Sequence, residues 1–205
     1  MIIIQIIILF FSIIIHEVSH GYMAYLKGDD TAYKSGRLTL NPLPHIDIFG
    51  TILLPLFMYF MHFRFLFGWA KPVPINPNNL KNPKKDLILI GAAGPVSNLI
   101  LLLLFWSLFK LSIILKLNQS FSNGFAFGVA INLLLLIFNA IPIPPLDGSR
   151  ILAGFLKGKI YNYYVSFDKY GFIVIIILLY AGLLNKFIFP VMIFVLKTMG
   201  ISFGL

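Results

Sequence analysis

Residues 1–20 read MIIIQIIILFFSIIIHEVSH, and the two parts of that stretch pull in opposite directions. Residues 1–15 carry no charge at all. His16, Glu17 and His20 then follow with no break in the apolar run. Residues four apart lie on one face of a helix, so His16 and His20 can hold one metal ion together. Glu17 follows the first imidazole and can act as general base toward a water on that ion. An ionisable group at membrane depth is costly, so its presence there marks a functional site. The stretch therefore reads as a membrane helix that carries a metal site.

Composition agrees with a membrane protein. Of 205 residues, 59% are hydrophobic and 11% charged, against about 25% charged in a soluble domain. No linker, repeat or low-complexity tract interrupts the chain, and we read residues 1–205 as one integral membrane domain. There is no cysteine, which excludes disulfides, a thiolate nucleophile and cysteine-ligated metal. The net charge of +9 reflects topology rather than nucleic-acid binding, because basic residues gather on the cytoplasmic side of a membrane. Met1 leads straight into isoleucines without a basic region, so no cleavable signal peptide is expected.

Catalytic zinc takes three protein ligands and keeps a fourth position open. The third is expected in Asn139-Ala140-Ile141-Pro142-Ile143-Pro144-Pro145-Leu146-Asp147-Gly148. The prolines break a helix and Gly148 lets the chain turn, so the Asp147 carboxylate can point back into the bundle. The competing reading of Asp147 is a cap on a short helix starting near Ser149.

A membrane span needs about 20 apolar residues. Residues 1–26, 87–109, 125–141, 171–184 and 187–203 qualify, the fourth with help from residues 167–170. The fold class is thus all-α and polytopic, with about five spanning helices. A sixth apolar run, residues 48–67, contains Gly50 and Pro55 and reads as a re-entrant or broken segment. If it crossed, Asp147 would end on the far side of the membrane from the histidines. If it returns, the ends of the first and third spans coincide. Charge favours return. Lys27, Lys34, Arg37, Arg64, Lys71, Lys81, Lys84, Lys85, Arg150, Lys157, Lys159 and Lys169 then share one side, against Lys110, Lys116 and Lys186 on the other. A crossing segment would make the split nine to six, and the positive-inside rule prefers twelve to three. The expected topology is an external N-terminus, a cytoplasmic C-terminus and a site opening toward the cytoplasm of a cell inner membrane. The turn-rich region between residues 29 and 83 reads as a cap with a few short β-strands, for which residues 37–40 and 71–75 are the candidates.

Other polar residues are weaker candidates. Asp29 and Asp30 read as solvated turn residues. His45 and Asp47 read as loop residues or as groups around the site entrance. Asn139 is a candidate to hold a substrate carbonyl or an oxyanion, or equally an interhelical hydrogen bond. Asn132 reads as structural. Gly91-Ala92-Ala93-Gly94-Pro95-Val96-Ser97-Asn98 reads as a close helix contact, with the role of Asn98 left open.

HEVSH, GAAGPVSN and NAIPIPPLDG in this order resemble the site-2 proteases, intramembrane zinc metalloproteases. Residues 36–42 and 68–74 are similar to a compact prokaryotic branch of that family. The resemblance implies that His16, His20 and Asp147 bind one Zn2+ per chain, that Glu17 activates water, and that Asn139 lies by the substrate. It implies cleavage of transmembrane segments in membrane-anchored proteins, often after another protease has trimmed them. The implied partners are a transmembrane protein substrate, the lipid bilayer and a regulatory membrane protein, with no nucleic acid. Residues 1–150 would then form the catalytic core, and residues 151–205 C-terminal helices that could gate it. No PDZ or CBS domain of the larger family members is present in the sequence. Two other functions fit parts of the pattern: a metal transporter, in which Glu17 would be dispensable, and a non-enzymatic scaffold, which has no need of a complete ligand set.

Overall fold

The computed structural model describes residues 2–62 and 68–201, and every regular element among them is helical. Helix α1 is Ile2–Leu26 and ends where Gly28 takes a positive φ of 104°. A four-residue helix α2, Thr31–Lys34, follows. A π-helical turn, Ile48–Leu53, runs straight into α3, Leu54–Phe60. The long helices are α4, Pro83–Ile114, and α5, Gln119–Asn139. The C-terminal part comprises α6, Asp147–Phe155; α7, Gly158–Ser166; α8, Asp168–Tyr180; and α9, Leu183–Thr198.

Three of these helices, α1, α4 and α5, are long and apolar enough to span a bilayer, with 25, 32 and 21 residues. At about 1.5 Å per residue each exceeds about 30 Å. Helices α7 and α8 meet at 60° and make a fourth span only if taken together. Among the described residues three or four helices are thus long enough to span, against the expected count of about five. The difference lies in the two C-terminal runs, 171–184 and 187–203, whose helices α8 and α9 have 13 and 16 residues, each short of a bilayer. Part of the expected last span, residues 202–203, lies outside the described residues.

The expected strands are corrected too. Residues 38–40 form bends, and residues 71–75 belong to no ladder. Their backbone donors go elsewhere, Lys71 N–H to the His45 carbonyl at 2.9 Å and Val73 N–H to the Glu17 carboxylate at 3.0 Å. With the donors so divided, no ladder can form.

The run 48–67 is described as far as residue 62. Its helical part, Ile48–Phe60, is too short to cross. Its two ends meet, since Trp69 N–H donates to the Gly50 carbonyl at 3.2 Å and Thr51 Oγ1 donates to the Trp69 carbonyl at 2.8 Å. Residues 50 and 51 thus lie against Trp69.

The core lies between α4 and α5, where Phe105 lies so close to Gly128 that a methyl there would sit 2.5 Å from the ring. Leu101, Leu102, Val129 and Leu133 fill that interface, and Ile188 and Met192 of α9 close it. At the site end, α8 packs on the proline-rich bend, where a methyl at Gly171 would overlap the Pro144 carbonyl. This contact places Phe172 and Ile175 over the same cavity as the histidines.

Candidate metal centre

His16 and His20 lie buried in the second half of α1, and Asp147 opens α6. The chain brings all three together. His16 Nε2 lies 3.1 Å from Asp147 Oδ2, His20 Nε2 lies 3.2 Å from Asp147 Oδ1, and the two Nε2 atoms are 3.1 Å apart. Asp147 serves as no cap for α6, which removes the competing reading of its carboxylate.

The neighbours of the imidazoles decide where their protons sit. His20 Nδ1 lies 2.7 Å from the Ile90 carbonyl, which only accepts, so Nδ1 carries the proton. His16 Nδ1 lies 2.6 Å from Asn98 Oδ1, and a chain of amides fixes that amide's orientation. Asn132 Nδ2 donates to the Gly128 carbonyl and to Ser12 Oγ, both at 2.9 Å. Asn132 Oδ1 therefore faces Asn98 and accepts from Asn98 Nδ2 at 3.0 Å. Asn98 is left presenting its oxygen, and His16 must donate from Nδ1. Both Nε2 lone pairs then point at a carboxylate whose Oδ2 is buried and has no hydrogen-bond partner among the described residues. With the imidazoles neutral, two Nε2 lone pairs and a carboxylate converge on one point, an arrangement that can hold a metal ion. Two imidazoles and a carboxylate are a zinc donor set with room for a fourth ligand, so these residues fit the metal. Outer hydrogen bonds of this kind orient metal-ligating imidazoles.

Helix α4 reaches the site only because its residues are small. A methyl at Gly94 would overlap His20 Nε2 and sit 2.5 Å from His16 Cε1. A methyl at Gly91 would meet Arg150 Cβ at 2.9 Å and the Asp147 carbonyl at 3.2 Å. The small-residue stretch is a helix contact, as read from the sequence, and the contact it serves is the metal site. Asn98, one turn beyond Gly94 and fully buried, is the functional group the sequence left open. Its signal was an amide inside an apolar helix, where an unsatisfied polar group is costly. Asn132 is fully buried in the same network and is structural, as expected.

Glu17 is half-buried and accepts the Val73 N–H. It lines a cavity of about 730 Å³ together with His16, His20, Asp147 and Asn139. The Asn139 amide donates to the Leu135 carbonyl at 3.0 Å, one turn back on its own helix. Trp69, Pro72 and Val73 form one wall; Phe138, Phe172 and Ile175 form another. Trp69 and Phe172 meet edge to face, with centroids 5.1 Å apart.

The remaining candidates lie outside this cavity. His45 is buried, with its ring donating from Nε2 to the Thr39 carbonyl at 2.9 Å. Asp47 caps the π-helical turn by accepting from Gly50 N–H at 2.6 Å. Asp30 pairs with Lys34 on the surface at 2.7 Å. Asp29 corrects its sequence reading, because it is fully buried rather than solvated. It accepts from the backbone N–H of Thr31 and Asn76, from Asn79 Nδ2 and from the Thr31 hydroxyl. Burial pushes its carboxyl up, but these donors outweigh burial and hold it below the ordinary carboxylate range.

Comparison with known proteins agrees with this geometry. The model of peptidase family M50 matches residues 111–179. YwhC of Bacillus subtilis, named as a zinc metalloprotease, is 37% identical over 193 residues, covering 91% of this chain and 84% of that protein. Rip2 of Mycolicibacterium smegmatis, likewise named as a zinc metalloprotease, is 26% identical over 198 residues, covering 93% and 72%. Rip2 of Mycobacterium tuberculosis is 26% identical over 194 residues. No solved structure gives a significant match. The chain belongs to peptidase family M50, the site-2 proteases, and is a multi-pass membrane metalloprotease.

Proposed function

We propose that this protein is an endopeptidase that hydrolyses peptide bonds inside transmembrane segments of membrane-anchored proteins, using one zinc ion per chain. His16 Nε2, His20 Nε2 and the Asp147 carboxylate would hold the ion. A zinc ion there supplies the Lewis acidity that activates water near neutral pH and polarises the scissile carbonyl. The observation that carries the reading is the convergence of the three ligand atoms, with both Nδ1 protons already committed, beside the Glu17 carboxylate.

The side chains divide the remaining work. Glu17 accepts the proton of the attacking water and returns it to the leaving amide nitrogen. Val73 N–H fixes one Glu17 oxygen, which sets the direction of the carboxylate. Asn139 stands at the cavity wall, where turning its amide away from Leu135 would offer a donor to the substrate carbonyl. The substrate is an apolar segment, because aromatic and aliphatic side chains make most of the cavity wall. It must be locally unwound, because a helix ties up its own carbonyls. The edge-to-face pair of Trp69 and Phe172 marks the entrance, with α8 as the movable side. The protein sits in a cell inner membrane, its N-terminus external and its site opening toward the cytoplasm, where the basic residues collect.

The test is cleavage of a single-span protein in detergent by wild type and by Glu17→Gln, with zinc content measured alongside. Glu17→Gln is expected to keep zinc and to lose about 10²–10⁴-fold in rate. Unchanged cleavage by Glu17→Gln would overturn the reading, and metal transport without cleavage would replace it with a transporter.

A further inference from the structure

We infer that Arg37 is a positioning residue for Glu17, acting through the backbone of residues 69–76. The inference rests on the reading of Glu17 as general base.

Residues 69–76 contain neither helix nor ladder, yet they run beside the site and supply the hydrogen bond that orients Glu17. What holds this strap is therefore what holds the base. Residues 69, 71 and 73 are all hydrogen-bonded to the rest of the protein. Trp69 is fixed through both its N–H and its carbonyl. Val73 gives its N–H to Glu17. Lys71, between them, is clamped from both sides: its N–H donates to the His45 carbonyl at 2.9 Å, and its carbonyl accepts from Arg37 Nη2 at 2.5 Å.

Arg37 is an unusual choice for that task. Its residue is 6% exposed, and among the described residues it has no carboxylate partner and its Nε has no hydrogen-bond partner. Burying a guanidinium without a counter-charge is costly, and a neutral donor could serve a single carbonyl. What Arg37 adds is a rigid planar fork delivered from a fixed point. Its own N–H is tied to the Ala32 carbonyl at 2.9 Å, just after Gly36 turns the chain at a φ of 64°. Ala32 in turn packs against Gly21 of α1, one turn beyond Glu17, as do Leu38 and Val73. Arg37 thus ties the strap to the same stretch of α1 that carries the base. With the Lys71 carbonyl released, that peptide can rotate, and the Val73 N–H two residues on loses its aim at Glu17.

The test is steady-state cleavage of a single-span substrate in detergent by the full-length protein carrying Arg37→Gln, with zinc per chain measured on the same sample. The expected result is a kcat lowered about 10- to 100-fold, the scale of a misaimed catalytic group. KM is expected to change less than kcat, because Arg37 itself lines no wall of the cavity, and zinc content is unchanged, because the ligands are not touched. Val73→Pro removes the donor itself, in a chain already bracketed by Pro72 and Pro74, and is expected to reproduce the loss. It carries the test if Arg37→Gln fails to fold. Wild-type kcat in either folded variant overturns the inference, as does, in Arg37→Gln, a loss that follows zinc content or KM. Glu17→Gln run in parallel separates the two levels. If Glu17→Gln is inactive while Arg37→Gln is normal, only the role of Arg37 falls; if Glu17→Gln is active, the reading of the site falls with it.

Discussion

The two sides of the site are built by different means. On the ligand side, long helices present His16 and His20, and buried side chains hold them: Asn98, Asn132 and Ser12 in series, with the Ile90 carbonyl beside them. On the base side, Glu17 is held by one backbone N–H from a segment without secondary structure. The first side is fixed by packing at membrane depth, where an unpaired polar group has no water to turn to. The second is fixed by separate hydrogen bonds spread along a strap, each of which can be lost by itself. Substitutions on the two sides should therefore fail differently, the first by losing metal and the second by losing rate or stability with metal retained.

The largest expected effect is on the ligand side. Asp147→Ala should abolish both zinc retention and cleavage, because two imidazoles alone leave the ion without its third ligand. Zinc content after dialysis is the measurement, and a fully loaded Asp147→Ala protein would break the comparison at its root. Gly94→Ala comes next. The added methyl overlaps one imidazole and presses on the other, so α1 and α4 must part. The expected cost is about 1–3 kcal/mol of stability, as for other overpacked contacts, with zinc bound more weakly than in Asn98→Ala. Asn98→Ala removes only the acceptor of the His16 Nδ1–H and should weaken zinc about 10- to 100-fold, as loss of such outer partners does. Excess zinc should restore its rate, which it cannot do for a defect on the strap side.

The same contrast explains what the sequence disclosed. The metal ligands were legible because each is a polar residue in an apolar run, at helical spacing or beside helix-breaking prolines. Gly91 and Gly94 were legible as a close contact, although not as a contact with imidazoles. The all-helical class followed from hydropathy. The last two runs were read as spans because hydropathy registers how apolar a run is and not how long its helix will be: α8 and α9 have only 13 and 16 residues. The strap was misread as strand because extended, proline-spaced residues look alike whether they pair in a sheet or stand alone. Its hydrogen bonds run from backbone atoms to residues dozens of positions away, and neither periodicity nor composition records such pairings. Arg37, His45 and Asp29 are buried among those pairings, which is why His45 looked like a loop residue, Asp29 like a solvated turn residue and Arg37 like the start of a strand.

Asp29 gives the smallest effect and the sharpest check on the strap. Its carboxylate ties the far end of the strap, at Asn76, to the turn that follows α1, across a sequence separation of 47 residues. Its carboxyl is held below its ordinary value in the folded protein. A carboxyl lowered on folding contributes stability that is complete above its unfolded value, about 3.9, and is lost as pH falls through the folded value. Wild type should therefore lose stability as pH drops below about 4. Asp29→Asn should lack that component, so the gap between the two proteins narrows as the carboxyl protonates. Near neutral pH the variant should be less stable by about 1–3 kcal/mol, the cost of leaving buried donors poorly matched, with zinc content unchanged. Thermal unfolding in detergent across that pH range is the measurement. A constant gap would show that Asp29 acts through shape rather than charge, and a loss of zinc would show that the two sides of the site are not separately held.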